Sequence, residues 1–375
     1  MKKLSILLIC LLTASLGYGK NLTFSVWEDL IYDDNIYLSN TQEESSVINS
    51  TQVGMKYKTA VPNSGLVFNA TAFGGYNAYT KENGQNGFWN AFANVDLAND
   101  LLNIGNTFVY TSDLANSELT DMVRRFNNNV YLSARTSREK TFGLGFSAND
   151  SYDYYYDHPW QTALDLNRIN AAVQGFWNIS SKTSAFVEYM YSNVNYKYND
   201  EHNSDGSTLA LGVEGKIAPK VTGMAKATYA MRDYTHHLSG YSTYEDLFGY
   251  DLSLEYRPTG RNVIRLSGIR KFEESTYVNN RYFADTLISL YFSHQLSNRL
   301  KAAVTLSYEN MDYEHANNQG VKRSDDLYGV RPEVTYQVNK WLSAGAWYQL
   351  RSRHSNTYEN EYNSNKGGLF LKATL

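Results

Sequence analysis

Apolar and polar residues alternate one by one along segment after segment of this chain, and that period of two restricts its fold more than any other feature. In Leu300-Lys301-Ala302-Ala303-Val304-Thr305-Leu306-Ser307-Tyr308-Glu309 one face reads Leu, Ala, Val, Leu, Tyr and the other Lys, Ala, Thr, Ser, Glu. Leu209, Leu211, Val213 and Ile217 stand against Thr208, Gly212, Glu214 and Lys216, and Tyr250, Leu252, Leu254 and Tyr256 against Asp251, Ser253, Glu255 and Arg257. Leu342, Ala344, Ala346, Tyr348 and Leu350 stand against Ser343, Gly345, Trp347, Gln349 and Arg351, and the last segment sets Leu369, Leu371, Ala373 and Leu375 on one face. A helix needs apolar residues three and four apart, which these segments lack. The pattern predicts strands near 22–32, 50–60, 65–78, 87–97, 101–111, 124–134, 140–149, 165–177, 183–196, 207–217, 221–234, 246–257, 262–273, 283–296, 300–313, 326–338, 341–353 and 366–375.

The connections alternate between short and long. Ala98-Asn99-Asp100, Ala218-Pro219-Lys220, Pro258-Thr259-Gly260-Arg261, Ser297-Asn298-Arg299 and Asn339-Lys340 are short, whereas 33–49, 112–123, 150–164, 235–245, 314–325 and 354–365 are long and rich in Asn, Asp, Glu, Ser and His. Transmembrane barrels have short turns on the periplasmic side and longer loops outside. A soluble sandwich has no reason to keep that parity through about eighteen strands. A soluble barrel of this size fails for another reason: about eight strands close around an interior that side chains fill, while sixteen to eighteen leave a channel. The apolar face must therefore look out at lipid and the polar face line water, and closure pairs every backbone group that hydrocarbon would leave bare. The expected fold is all-β, a transmembrane antiparallel up-and-down β-barrel of about eighteen strands.

Met1-Lys2-Lys3 and the apolar run Leu4 to Leu16 resemble an export signal, and Gly17 and Gly19 supply the small residues of a cleavage site before Lys20. The expected organisation is a signal peptide over 1–19 and a barrel over 20–375. Cys10, the one cysteine, leaves with the signal, so disulfides, thiolate chemistry and cysteine zinc sites are excluded from the mature chain. Removing Lys2 and Lys3 takes Lys+Arg from 34 to 32 against 38 Asp+Glu, a net charge of −6 and no footprint for nucleic acid. A mean hydropathy of −0.48 excludes a helical membrane bundle. The 32 tyrosines include Tyr79, Tyr110, Tyr196, Tyr234, Tyr282, Tyr313 and Tyr328 at strand ends, where aromatic girdles are expected. Pro332 falls inside a strand and predicts a bulge or local break, and Leu375 ends the chain where barrels often end in an aromatic residue.

From about Tyr250 onward the chain resembles the Putative beta-barrel porin 2 family of bacterial outer-membrane proteins. The resemblance lies in Leu254-Glu255-Tyr256-Arg257-Pro258-Thr259-Gly260-Arg261, Leu266-Ser267-Gly268-Ile269-Arg270 and Glu273-Glu274-Ser275. It continues through His294-Gln295-Leu296-Ser297-Asn298-Arg299-Leu300, Leu306-Ser307-Tyr308-Glu309-Asn310-Met311-Asp312-Tyr313, Tyr348 and Arg353-His354-Ser355-Asn356. Tyr32-Asp33-Asp34-Asn35-Ile36-Tyr37 resembles the family's N-terminal pattern. The resemblance implies a link with surface polysaccharide production or export, and it brings no catalytic motif.

No residue set points to an enzyme or a cofactor. His236-His237 near Asp233 and Ser239, and Ser293-His294, are neighbours that point to opposite sides of an extended chain, so neither completes a nucleophile, base and orienter. Arg168, Lys226, Asp251, Glu255, Arg265, Arg331, Glu333 and Arg351 fall on the face expected to line the pore, together with Glu214, Lys216, Arg232, Lys271 and Lys301. Such charges either tune selectivity or stiffen the wall as a salt-bridge ladder. In Tyr152-Asp153-Tyr154-Tyr155-Tyr156-Asp157-His158-Pro159-Trp160, the rings of Tyr154, Tyr156 and Trp160 offer a sugar-stacking surface at the outer mouth, or else pack on one another as a folded loop. The expected function is a passive outer-membrane channel or export barrel, with membrane lipid around it and saccharides and polysaccharide-export proteins as partners. The alternative is a non-conducting barrel used for adhesion or envelope structure, favoured if a loop folds inward and blocks the lumen.

Overall fold

A computed structural model of the chain describes residues 21–375 apart from 82–86, 115, 121, 157–159, 237–241 and 278. The expected signal and its cleavage site lie outside the described residues. The strands are β1 (Leu22–Asp33), β2 (Ser46–Ala60), β3 (Val67–Tyr79), β4 (Gly87–Ala98), β5 (Leu102–Thr111), β6 (Arg125–Arg135), β7 (Phe142–Tyr155), β8 (Leu166–Ser180) and β9 (Thr183–Tyr196). They continue as β10 (Ser204–Ala218), β11 (Val221–Tyr234), β12 (Tyr244–Tyr256), β13 (Asn262–Glu274), β14 (Tyr282–Gln295), β15 (Leu300–Ala316), β16 (Lys322–Gln337), β17 (Leu342–Ser355) and β18 (Tyr362–Thr374). Every strand pairs antiparallel with its neighbours in the chain, and β1 also pairs with β18, from Ser25↔Thr374 to Asp33↔Lys366. The result is a closed, eighteen-stranded, all-antiparallel barrel.

Closure leaves no edge strand, so the backbone is satisfied within the wall, as a lipid environment demands. Most outward positions are apolar: Val187, Leu211, Phe248 and Leu369 are each more than half exposed, which in water would be a liability and in lipid is the driving force for insertion. No helix among the described residues is long and apolar enough to cross a membrane. The connections keep their parity. Short turns at 61–66, 99–101, 136–141, 181–182, 219–220, 257–261, 296–299 and 338–341 mark one end, and the longer loops the other.

Two local departures have physical causes. Pro332 pairs in register with Val304 on β15, but on the β17 side the ladder runs from Val330↔Leu350 to Glu333↔Trp347 with Arg331 and Pro332 unpaired. The missing N–H thus produces a local break and no change of register. Between β10 and β11 the register shifts between Gly215 and Ala218, and the paired Gly215 and Gly223 adopt φ of 100° and 150°. A side chain at Gly223 would meet the Ser253 carbonyl at 1.9 Å, so only glycine serves there.

The aromatic girdle differs from the one expected. Tyr196, Tyr234, Tyr282 and Tyr313 are buried, because the loops fold over the strand ends that carry them, and Tyr79 turns toward a lumen cavity. The outward rings that mark the boundary instead come as repeated couples on neighbouring strands. The hydroxyl of Tyr191 donates to Asp205, that of Tyr229 to Asp246 at 2.7 Å, that of Tyr308 to Asp326 at 2.7 Å and that of Tyr348 to Asn365 at 2.5 Å. In each couple the acceptor sits two residues beyond the tyrosine's paired partner toward the loop end. Each ring therefore lies in the apolar zone with its hydroxyl held at the polar one.

Candidate functional site

The lumen is the site. Its wall follows from alternation: with lipid claiming one face of each strand, polar residues two apart share the other. Lys226 lies between Glu188, at 3.1 Å, and Asp251, at 3.7 Å. With Arg168, these residues line a lumen cavity of about 370 Å³ bounded by β8 to β13. Nearer the short turns, Glu255 binds Arg265 at 2.8 Å and Arg257 at 2.5 Å, Arg331 lies 3.6 Å from Glu333, and Glu214 takes Arg135 and Arg138 at 2.5 and 2.8 Å. Arg351 lines a second cavity, of about 320 Å³, with Asp33, Gln349, Ser364 and Lys366. The eight charged residues expected on the pore face fall on the inner side of the register, and six of them pair off as Lys226–Asp251, Glu255–Arg265 and Arg331–Glu333 rather than forming one ring.

The constriction comes from loops, and sequence reasoning did not find it. The described residues of loop L3 (112–124), between β5 and β6, reach across to β1, β15, β17 and β18. Asp113, Leu114, Thr120 and Met122 face the cavity walled by β1, β17 and β18, while Leu119 and Val123 pack with Tyr155 of β7 and with Leu164. Ser117 Oγ donates to Glu309 of β15 at 2.8 Å. At its centre the carboxylate of Glu118 takes four bonds from loop L7 (275–281): Ser275 Oγ at 2.6 Å, Thr276 N at 2.7 Å, Thr276 Oγ1 at 3.0 Å and Tyr277 N at 3.2 Å. One buried carboxylate therefore latches two loops from opposite parts of the chain.

L7 is anchored in turn. Glu274, at its base, accepts from Tyr196 Oη at 2.9 Å and pairs with Arg232 at 3.0 Å and Arg168 at 3.9 Å, reaching from β13 to β8, β9 and β11. On the other flank Phe283, Met311 and Tyr313 form a buried cluster beneath Tyr277, and Arg323 stacks over both Tyr277 and Tyr313 at 4.7 Å while binding Asp325 at 2.5 Å. Beside it the side chain of Arg353 is fully buried over Tyr362. Burial holds His202, on the loop after β9, below its ordinary pKa, with Tyr196 edge-on at 5.3 Å.

The stacking surface expected at the outer mouth is not where sequence reasoning put it. β7 runs on to Tyr155, so alternation turns Tyr155 into the lumen and Tyr154 and Tyr156 to the outside of the wall. There they meet edge-on at 5.0 Å and pack on Phe126 and Tyr110, away from the pore. Trp160 begins a short helix (Trp160–Leu164), and its side chain lies outside the described residues. His236 lies 3.5 Å from Asp200, His237 is outside the described residues, and His294 pairs with Asn262 rather than Ser293. Among the described residues no cluster of three or more His, Cys, Asp or Glu is placed to hold a metal.

A closed eighteen-stranded wall, apolar outside and charged within, defines a porin-like outer-membrane barrel. The chain belongs to the Putative beta-barrel porin 2 family, whose pattern matches residues 23–375. Among curated proteins, none matches it in sequence. Solved structures with similar folds include the outer membrane protein opdK from Pseudomonas aeruginosa, with a TM-score of 0.54, 8% identity and coverage of 96% of this chain and 100% of that one. OpdQ from the same organism has a TM-score of 0.51 and 9% identity over 96% and 99% of the two chains. OccAB2 from Acinetobacter baumannii has a TM-score of 0.51 and 9% identity over 95% and 97%. At these identities the likeness shows the fold alone.

Proposed function

We propose that the protein is an outer-membrane channel for hydrophilic solutes that serves a surface polysaccharide system, with saccharides as solutes and polysaccharide-export proteins as partners. The observation that carries the channel reading is the size of the wall: eighteen strands enclose more room than inward side chains fill, and those side chains are polar. The polysaccharide link rests on the family resemblance. Conductance of the folded protein in a planar bilayer tests the channel: discrete current steps are expected, and their absence from a barrel shown to be folded would refute it. Among the described residues no arrangement of nucleophile and base supports an enzyme.

A second reading has an observation of its own. The L3–L7 latch lies across the lumen, and a barrel held shut by it would serve adhesion or envelope structure. Under that reading the wild type passes no current, while a variant lacking the Glu118 carboxylate does.

A further inference from the structure

The two ends of the barrel carry opposite charge. The eight short turns contain eight Lys or Arg against two Asp or Glu, while the nine connections at the other end contain four against thirteen. The whole mature chain is net negative, so the short-turn end is a cationic collar on an acidic protein. By the rule of turn length this end faces the periplasm.

The collar continues into the lumen. Lys56, Lys301 and Lys372 stand on the inner face near the short turns, and among the described residues no carboxylate pairs with any of them. Each instead rests on an aromatic ring: Lys372 lies 4.9 Å from Trp27, and Lys56 and Lys301 lie 5.8 Å from Phe73 and Tyr291. A lysine over a ring is held by about 0.5–1 kcal/mol where water reaches it, less than an anion in the same place would offer. These are cations held loosely and within reach of an incoming charge.

Around Lys372 several rings share the inner face of neighbouring strands. Trp27 packs against Phe370 at 5.8 Å, and Arg331 lies 4.7 Å over Trp347, whose Nε1 donates to Asp29 at 3.2 Å. Glycines on the neighbouring strands let the rings lie flat: a side chain at Gly368 would meet Trp347 at 2.7 Å, and one at Gly345 would meet Phe370 at 2.4 Å. Rings often cover strand glycines simply to shield the backbone. That role accounts for the rings but not for lysines that, among the described residues, form no ion pair with a carboxylate.

We propose that the inner wall formed by Trp27, Trp347, Phe370, Lys372 and Arg331 binds acidic saccharides that come from the periplasmic end, a sugar ring lying on the indoles and its carboxylate drawing Lys372 off Trp27. The proposal rests on the channel reading and names its solute class and direction. Because these side chains face the lumen, the occupant is a molecule inside the barrel and not the headgroup of a surrounding lipid. The acidic outer end then repels the same anion once it has crossed, which favours release outward.

The test uses the full barrel in a bilayer of zwitterionic lipid, with oligogalacturonate and a maltooligosaccharide of equal length added to either side. Oligogalacturonate is expected to block current from the short-turn side at a tenfold or greater lower concentration than from the loop side. The block should weaken with salt, and the neutral sugar should show no such preference. Lys372→Gln leaves no carboxylate unpaired, so the barrel should fold as the wild type does and lose most of the block, while Lys372→Arg should retain it. Equal block by both sugars, or a block untouched by Lys372→Gln, overturns the proposal; block without sidedness overturns the direction. Tryptophan fluorescence of the barrel in neutral detergent, titrated with oligogalacturonate, separates the two readings. Binding lost in Lys372→Gln, without bilayer current, refutes the channel alone. Absence of binding refutes this site.

Discussion

Removing the Glu118 carboxylate should open the constriction. The side chain is 6% exposed and accepts four bonds from L7, two of them from backbone N–H groups at 2.7 and 3.2 Å. Hydrogen bonds to a charged acceptor contribute about 1.5–3 kcal/mol each, but the four share one carboxylate and the freed donors rehydrate as the loops part, so the simple sum is too large. A net loss on the order of 3 kcal/mol for Glu118→Ala is the reasonable figure, which raises the population of undocked L7 roughly a hundredfold. Glu118→Gln keeps one acceptor oxygen and loses the charge assistance, so its effect should be about half as large. The barrel wall does not depend on this contact, so both variants should insert and resist denaturant as the wild type does. Single-channel recording should show larger and less interrupted current steps in the order Ala, Gln, wild type. Hydrogen exchange at Ser275 to Tyr277 should accelerate in the same order. If Glu118→Ala folds and leaves both the current and the exchange at Thr276 and Tyr277 unchanged, the latch is not what holds these loops.

Arg at Leu306 or Leu254 should destabilise the barrel by about 2–4 kcal/mol in vesicle folding titrations if the site is near mid-membrane, while Arg at the inward Ser253 should be tolerated; equal penalties would defeat the assignment of faces. Gly223→Ala places a methyl 1.9 Å from the Ser253 carbonyl at a φ of 150°, so it should cost about 1–3 kcal/mol of backbone strain, with the clash added, in the same titration. His202 has its pKa lowered by burial, so the unfolded loop binds more protons than the folded one as pH falls through the imidazole's ordinary range. The stability it contributes is complete above about pH 6.5 and lost on acidification. Amide protection over 197–203, corrected for intrinsic exchange, should therefore fall between pH 7.5 and 5 in the wild type and not in His202→Asn, and identical pH profiles would remove His202 from the account.

The wall was legible in the sequence because a β-strand in a two-sided environment writes its environment residue by residue. Lys301, Thr305 and Glu309 cannot face lipid, and Leu300, Leu306 and Tyr308 gain nothing from facing water. The constriction was not legible, because it is built from contacts that no period records. Glu118 and its partners at Ser275 to Tyr277 lie more than 150 residues apart. Nothing in Ser117-Glu118-Leu119 distinguishes them from a solvated loop, although Glu273-Glu274-Ser275 stood out as a shared motif. The misplaced stacking surface has a different cause. The polar composition from 150 onward masks the continuation of β7, and alternation carried through to Tyr155 turns Tyr154 and Tyr156 outward.

The strands are longer than the membrane needs, and that excess explains why the two halves of the lumen differ. A tilted crossing takes roughly nine to eleven residues. β15 has 17, β16 has 16 and β10 has 15. The outward couples show where the surplus lies: beyond Tyr191, Tyr229 and Tyr308 toward the loop end stand Asp205, Asp246 and Asp326, residues that hydrocarbon would not accept. The barrel therefore continues past the membrane as a tube with water on its outer side. Inside that projecting tube lie the Glu118 latch, the Glu274 anchor and the Arg323–Asp325 pair, where loops supply bonding partners from above. Below it, on the wall formed by Trp27, Trp347 and Lys372, the lysine forms no ion pair among the described residues and rests on the face of Trp27. On the proposed reading, gating and solute recognition fall at different heights of one wall, the first on loops held above the membrane and the second on strands within it.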